Sequence, residues 1–153
     1  SICAWGPTAL LPIFQLLGTG FTSKQIATHF LDEHQKYDAF TKISLVYPHA
    51  VASLKVGQGV KSEGSLVISG TKGYIYVPAP WWKTDYFEVR YENPQNNKRY
   101  FYQLDGEGLR YELLSFLKAI RTGKDVSYVS GDISECIIKV ISDFEARKDM
   151  VVI

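Results

Sequence analysis

The chain has 153 residues, of which 46% are hydrophobic and 22% charged, and a formal net charge of +1. A chain of this length is about one domain and can bury roughly 68–70% of its unfolded surface, so a real core is possible. The charge balance and the absence of any Lys/Arg cluster argue against nucleic acid as a partner. No apolar run approaches the ~20 residues of a membrane span.

The stretch from Ala9 to Leu17 is apolar but short, and it has neither a basic leader nor a small-residue cleavage site, so it does not read as a signal peptide. Cys3 and Cys136 are too few and too far apart for a disulfide framework. Both are expected reduced and buried or half-buried, as suits a cytoplasmic protein. The chain opens at Ser1 on helix-like sequence, and its only methionine is Met150. We therefore expect it to begin inside a longer protein. Removal of an initiator methionine ahead of a tight start is the plainer alternative.

Residues 7–17 read as a short helix, with Pro7 in the first turn, Pro12 a source of kinking, and Gly18 and Gly20 at the end. A β-rich region follows. Gln25 to Leu31 is a candidate strand. Phe40 to Tyr47 alternates, with Thr41, Ile43, Leu45 and Tyr47 on one face and Phe40, Lys42, Ser44 and Val46 on the other. Val51 to Val56 continues the alternation, with Ala52, Leu54 and Val56 against Ser53 and Lys55. Ser65 to Ser69 and Tyr74 to Val77 flank a glycine-bearing turn and read as a hairpin. Phe87 to Tyr91 and Arg99 to Leu104 pair across the turn-like segment 92–98.

The period then changes. Between Glu107 and Arg121 the apolar residues Leu109, Leu113, Phe116, Leu117 and Ile120 form one helical stripe, ended by Gly123. A last helix begins near Asp132, capped by Ser130 or Asp132, with Glu135 placed to close a capping box. Its stripe is Ile133, Ile137, Val140, Ile141 and Phe144, and Met150 to Ile153 suit a short final strand. Strands in a run followed by helices in a run predict an α+β fold, an open mainly antiparallel sheet with helices on one face. The other face is then free for a partner, and a homodimer through that face is expected because large apolar faces are rarely left in water. No linker is long enough to split the chain.

Complete catalytic constellations are absent from the sequence. His29, His34 and His49 have neither zinc-ligand spacing nor a nearby cysteine, so no metal is expected. No serine sits in a Gly-x-Ser-x-Gly elbow. Gly57-Gln58-Gly59 reads as a turn or bulge, and Gly106-Glu107-Gly108 as a capping turn without the third glycine of a dinucleotide loop. Asp85, Glu88, Asp105, Glu107 and Glu112 read as exposed charge. The aromatic segment Pro78-Ala79-Pro80-Trp81-Trp82 has two open readings. Rings on a stiff loop can line a sugar or cofactor pocket, or they can simply pack against the helices.

Several segments, taken together, resemble one family. The hairpin Gly64-Ser65-Leu66-Val67-Ile68-Ser69-Gly70-Thr71-Lys72-Gly73-Tyr74-Ile75-Tyr76-Val77-Pro78, the Pro80-Trp81-Trp82 after it, and the run Phe101, Gly106, Gly108, Tyr111, Glu112, Phe116, Ile120, Gly123 are similar in order and spacing to the C-terminal domain of the Gfo/Idh/MocA oxidoreductases. Residues 130–144 look like that family's final helix. The resemblance implies a two-domain enzyme in which an N-terminal Rossmann domain holds NAD or NADP and supplies a lysine from a Glu-Lys-Pro motif. The C-terminal domain shapes a pocket for sugars or polyols and dimerises through its sheet. Neither the Rossmann glycine loop nor the Glu-Lys-Pro motif occurs here, and the first strand of the C-terminal domain is not evident, so this chain corresponds to the C-terminal domain alone.

The resemblance also aligns Gly6 with a conserved glycine of the family pattern, which puts Ala4 at its Asp position and Thr8 at its His/Tyr position. Neither side chain titrates near neutral pH, so no catalytic residue is assigned. Thr8, Trp81 and Trp82 are the expected substrate-binding residues. The implied function is the substrate-binding and dimerisation portion of an NAD(P)-dependent sugar or polyol oxidoreductase, inactive alone. The alternative is a non-catalytic dimerising or ligand-binding module of the same descent.

Overall fold

The computed structural model describes residues 1–32, 34, 36–106, 108–124 and 126–153. They form α1 (Ile2–Leu17), β1 (Ser23–Phe30), β2 (Asp38–Val46), β3 (Val51–Gly57), β4 (Leu66–Gly70), β5 (Gly73–Val77), β6 (Tyr86–Tyr91), β7 (Lys98–Phe101), α2 (Leu109–Thr122), α3 (Gly131–Glu145) and β8 (Met150–Val152). The fold is α+β. The strands divide over two four-stranded sheets where the sequence suggested one, and the chain forms two compact units, Ser1–Ser62 with Tyr128–Ile153, and Glu63–Ser127.

In the first unit the strand order is β3-β2-β1-β8. The first three strands pair antiparallel, and β8 lies parallel to β1. Ile26, Ile43 and Leu54 stand in register across three strands and face inward, so the alternation reads directly onto the core face. There they meet Ile2, Leu10 and Phe14 of α1 and Ile137, Val140 and Phe144 of α3. Helix α1 starts at Ile2, earlier than the sequence suggested, so Pro7 and Pro12 both lie inside it. Each proline lacks the N–H that would reach the carbonyl four residues back. Those carbonyls belong to Cys3 and Thr8, both exposed residues. The exposure of Cys3 corrects its expected burial.

A buried polar network ties α1 to the sheet. Asp38 is 5% exposed. Its Oδ2 accepts from the Ile2 N–H at 2.9 Å and the Thr41 hydroxyl at 2.7 Å, and its Oδ1 accepts from the Ser1 nitrogen. The Thr28 hydroxyl lies 2.8 Å from that of Thr41 and extends the chain into β1. Asp38 thus does from β2 what an N-cap side chain does locally, occupying an otherwise unpaired donor at the helix start. Burial would raise the Asp38 pKa, but the hydrogen bonds from Ser1, Thr41 and Ile2 outweigh it and hold the carboxyl below its ordinary value.

At the far end, the Lys24 side chain is almost fully buried and its ammonium lies 2.9 Å from Asp149 and 3.4 Å from Asp143. Asp149 has φ 54°, the left-handed region that costs a non-glycine residue energy, and its carbonyl accepts from the Ile26 N–H at 2.8 Å. This turn seats β8 beside β1. Helix α3 has Ser130 at its N-cap without a side-chain capping bond, and Asp132 lies within the helix, so the expected capping box does not form.

In the second unit the strands run β4-β5-β6-β7, antiparallel throughout. The β4–β5 hairpin turns on Thr71-Lys72 between paired Gly70 and Gly73, as the sequence predicted. Gly73 is required by close approach, since a Cβ there would stand 2.4 Å from the Arg90 carbonyl oxygen. None of the described residues of this unit is buried. Helix α2 ends at Gly123 (φ 63°) as expected, but its apolar stripe does not cover a sheet face. Leu109 is 72% exposed, Phe116 61% and Ile120 63%.

Candidate functional site

The aromatic segment after β5 has a defined local frame. The chain leaves β5 at Val77, passes Pro78-Ala79-Pro80, and makes a short 3-10 turn at Trp81–Lys83 before β6. The Trp81 N–H donates to the Gly64 carbonyl at 3.0 Å, which fastens the turn to the segment entering β4. The Trp81 and Trp82 rings meet edge to face, with centroids 5.9 Å apart and planes at 90°. Trp81 is half-buried and Trp82 is 53% exposed. A ring held by its neighbour's edge, on a turn fastened by the backbone, presents a stiff flat apolar surface.

One face of the second sheet carries a cluster that the sequence reading did not single out. Cross-strand pairing puts Tyr74 beside Arg90, Tyr76 beside Glu88, and Glu88 beside Arg99. Glu88 Oε2 accepts from Arg90 Nε at 2.7 Å, and Oε1 from Arg99 Nε at 2.9 Å. The Arg90 guanidinium lies over the Tyr76 ring at 4.6 Å and that of Arg99 over Tyr86 at 4.7 Å. Hydrogen bonds from Arg90 and Arg99 hold the Glu88 carboxyl below its ordinary pKa, and the Tyr74 hydroxyl and Glu88 raise that of Arg90. Two cations on one carboxylate leave a net positive, aromatic-walled surface. The available signal was the period-two spacing of Tyr74-x-Tyr76 and Glu88-x-Arg90, which places each pair on one strand face. At the β6–β7 turn, Tyr91, Gln95, Asn96, Asn97 and Lys98 line a shallow depression of about 390 Å³.

The remaining residues sort as follows. Ala4 and Thr8 lie one helical turn apart on the exposed side of α1, in the first unit, whereas Trp81 and Trp82 belong to the second. Neither Ala4 nor Thr8 can exchange a proton near neutral pH, and Gly6 between them packs inward. His29 lies on β1 with Nδ1 2.7 Å from the Ile153 carbonyl oxygen, and His49 is exposed at the β2–β3 turn. Cys136 is half-buried on α3, and burial pushes its thiol pKa up. Asp105 faces Arg110 at 3.3 Å, and Glu107 lies outside the described residues. Among the described residues no group of three or more His, Cys, Asp or Glu is placed to hold a metal ion. The sole parallel strand pair among the described residues is β1 with β8. No described helix is long and apolar enough to cross a membrane.

No protein-family model matches the chain, and no curated protein does. Solved structures do. KijD10, a 3-ketoreductase from Actinomadura kijaniata solved with NADP and TDP-benzene, matches 99% of this chain at a TM-score of 0.74 and 8% identity. An oxidoreductase from Agrobacterium radiobacter, solved with NAD+, L-tartaric acid and magnesium, matches 95% at a TM-score of 0.72 and 17% identity. At such identities the shared property is the fold. The chain spans just under half of each, 47% and 46% of their lengths.

Proposed function

We propose that this chain is the substrate-binding and dimerisation portion of an NAD(P)-dependent sugar or polyol oxidoreductase of the Gfo/Idh/MocA type. The observation that carries the reading is the match of 95–99% of the chain to just under half of oxidoreductases solved with NAD+ or NADP. In this reading a Rossmann domain outside the chain holds NAD or NADP and supplies the catalytic lysine. Trp81 and Trp82 in the second unit and Thr8 in the first are each assigned to substrate contact, and an open sheet face pairs two copies. The wedge of Trp81 against Trp82 supports a stacking role, because its exposed ring face is not consumed by packing.

Calorimetry of the isolated chain with NAD and with NADP tests the division of labour. No heat of binding is expected, and micromolar binding of either cofactor would overturn it. The coding sequence upstream of Ser1 supplies the positive test, since a Gly-x-Gly-x-x-Gly loop followed by Glu-Lys-Pro is expected there. A start codon immediately before Ser1 favours the second reading, a non-catalytic dimerising or ligand-binding module. That reading draws on Ala4 and Thr8, which leave the exposed side of α1 without an acid or base at those positions.

A further inference from the structure

The two units differ in what they enclose. Every buried residue among the described ones lies in the first unit, where Ile2, Leu10, Ile26, Ile43 and Val140 have no exposed surface. The second unit, Glu63–Ser127, carries apolar residues on all of its strands and on α2 and encloses none of them. Ile68, Ile75 and Val89 stand in register across three of its strands, as Ile26, Ile43 and Leu54 do in the first unit, yet they are only half-buried. Ordering each residue has an entropy cost that apolar burial must offset.

From this contrast we infer that the second unit is labile and opens by itself, without unfolding of the first. What holds it is of a weaker kind. Arg90 and Arg99, which pair with Glu88, are both partly exposed, and ion pairs open to water contribute little. Helix α2 has 14 residues, near the length at which a helix without tertiary packing is marginal in water. Its apolar stripe meets no core, with Leu109, Phe116 and Ile120 all more than half exposed. Segments with few buried apolar contacts open at free energies well below that of the core beside them.

The consequence falls on recognition. Trp81, Trp82 and the Glu88 cluster all belong to this unit. Anything that binds its ordered form orders it further, and part of the binding free energy goes into that ordering. The lability follows from burial alone and stands whether or not the oxidoreductase reading holds.

Hydrogen exchange on the whole chain tests this. Relative to their intrinsic rates, the amides of β4 to β7 and α2 are expected to exchange at least ~30-fold faster than those of β1, β2 and the middle of α3. Ile43→Val supplies the second measurement. It trims one methyl group from the enclosed core of the first unit, a change small enough to leave that unit folded. Exchange in β1 and β2 is expected to quicken about twofold to tenfold, while that of β4 to β7 stays unchanged. A difference in protection below ~30-fold overturns the proposal, because the second unit then shares the stability of the core. Equal quickening of both units by Ile43→Val overturns it as well, because the two then unfold as one.

Discussion

Replacing Asp38 by alanine tests whether the start of α1 is held by this carboxylate. The change removes the acceptor for the Ile2 N–H and the Thr41 hydroxyl, at a residue that is 5% exposed. Loss of an N-cap acceptor costs about 0.5–2 kcal/mol, and leaving a further buried hydroxyl without its acceptor costs about 1–3 kcal/mol. A destabilisation of about 2–4 kcal/mol is therefore expected from urea unfolding of the first unit, followed by hydrogen exchange of the α1 amides. Asp38→Asn, which keeps an acceptor oxygen, should lose less. The pH dependence has a definite sign. The folded pKa lies below the unfolded value, so the stabilisation is complete above the unfolded carboxyl range near ~3.9. It is lost as pH falls through the depressed folded value, so the wild type should lose more stability than Asp38→Ala below about pH 4. A loss under about 0.5 kcal/mol, within the range of ordinary surface substitutions, or parallel pH curves for the two proteins, would refute the reasoning.

Three further outcomes follow from the same structure. Ile43→Ala, at a position with no exposed surface between Ile26 and Leu54, should cost about 2–5 kcal/mol in urea unfolding, with the spread set by how far the site collapses. Gly73→Ala drives a methyl group against the Arg90 carbonyl oxygen, so amide protection across β5 and β6 should fall while that of β1 and β2 stays unchanged. In the full-length enzyme of the proposed reading, Trp82→Ala should raise KM for a sugar or polyol about tenfold, as loss of one stacking surface implies, with kcat little changed. An unaltered KM would remove Trp82 from the substrate side.

The candidate site was partly visible before the structure. The paired tryptophans after two prolines were conspicuous in sequence, and the structure adds the hydrogen bond to Gly64 and the edge-to-face wedge that stiffen them. The Glu88 cluster was not visible, because its members come from three strands and only register brings Tyr76, Glu88 and Arg99 side by side. Asp38 escaped notice for a similar reason. It caps a helix 36 residues away, and no local capping pattern reports such a bond.

What the sequence determined by itself was whatever depends on neighbours within a few residues. Period-two alternation placed β2 and β3 and their inward faces, glycine closed the β4–β5 hairpin and ended α1 and α2, and a helical stripe located α2 and α3. Periodicity states that a face is apolar but not what it meets, because burial is settled between segments distant in the chain. The same kind of stripe that drives α3 into the core of the first unit is left exposed on α2. The division of the strands into two sheets, the parallel seat of β8 beside β1, and the outward turn of α2 were decided only in the tertiary structure, where competing apolar faces are matched to a limited set of partners.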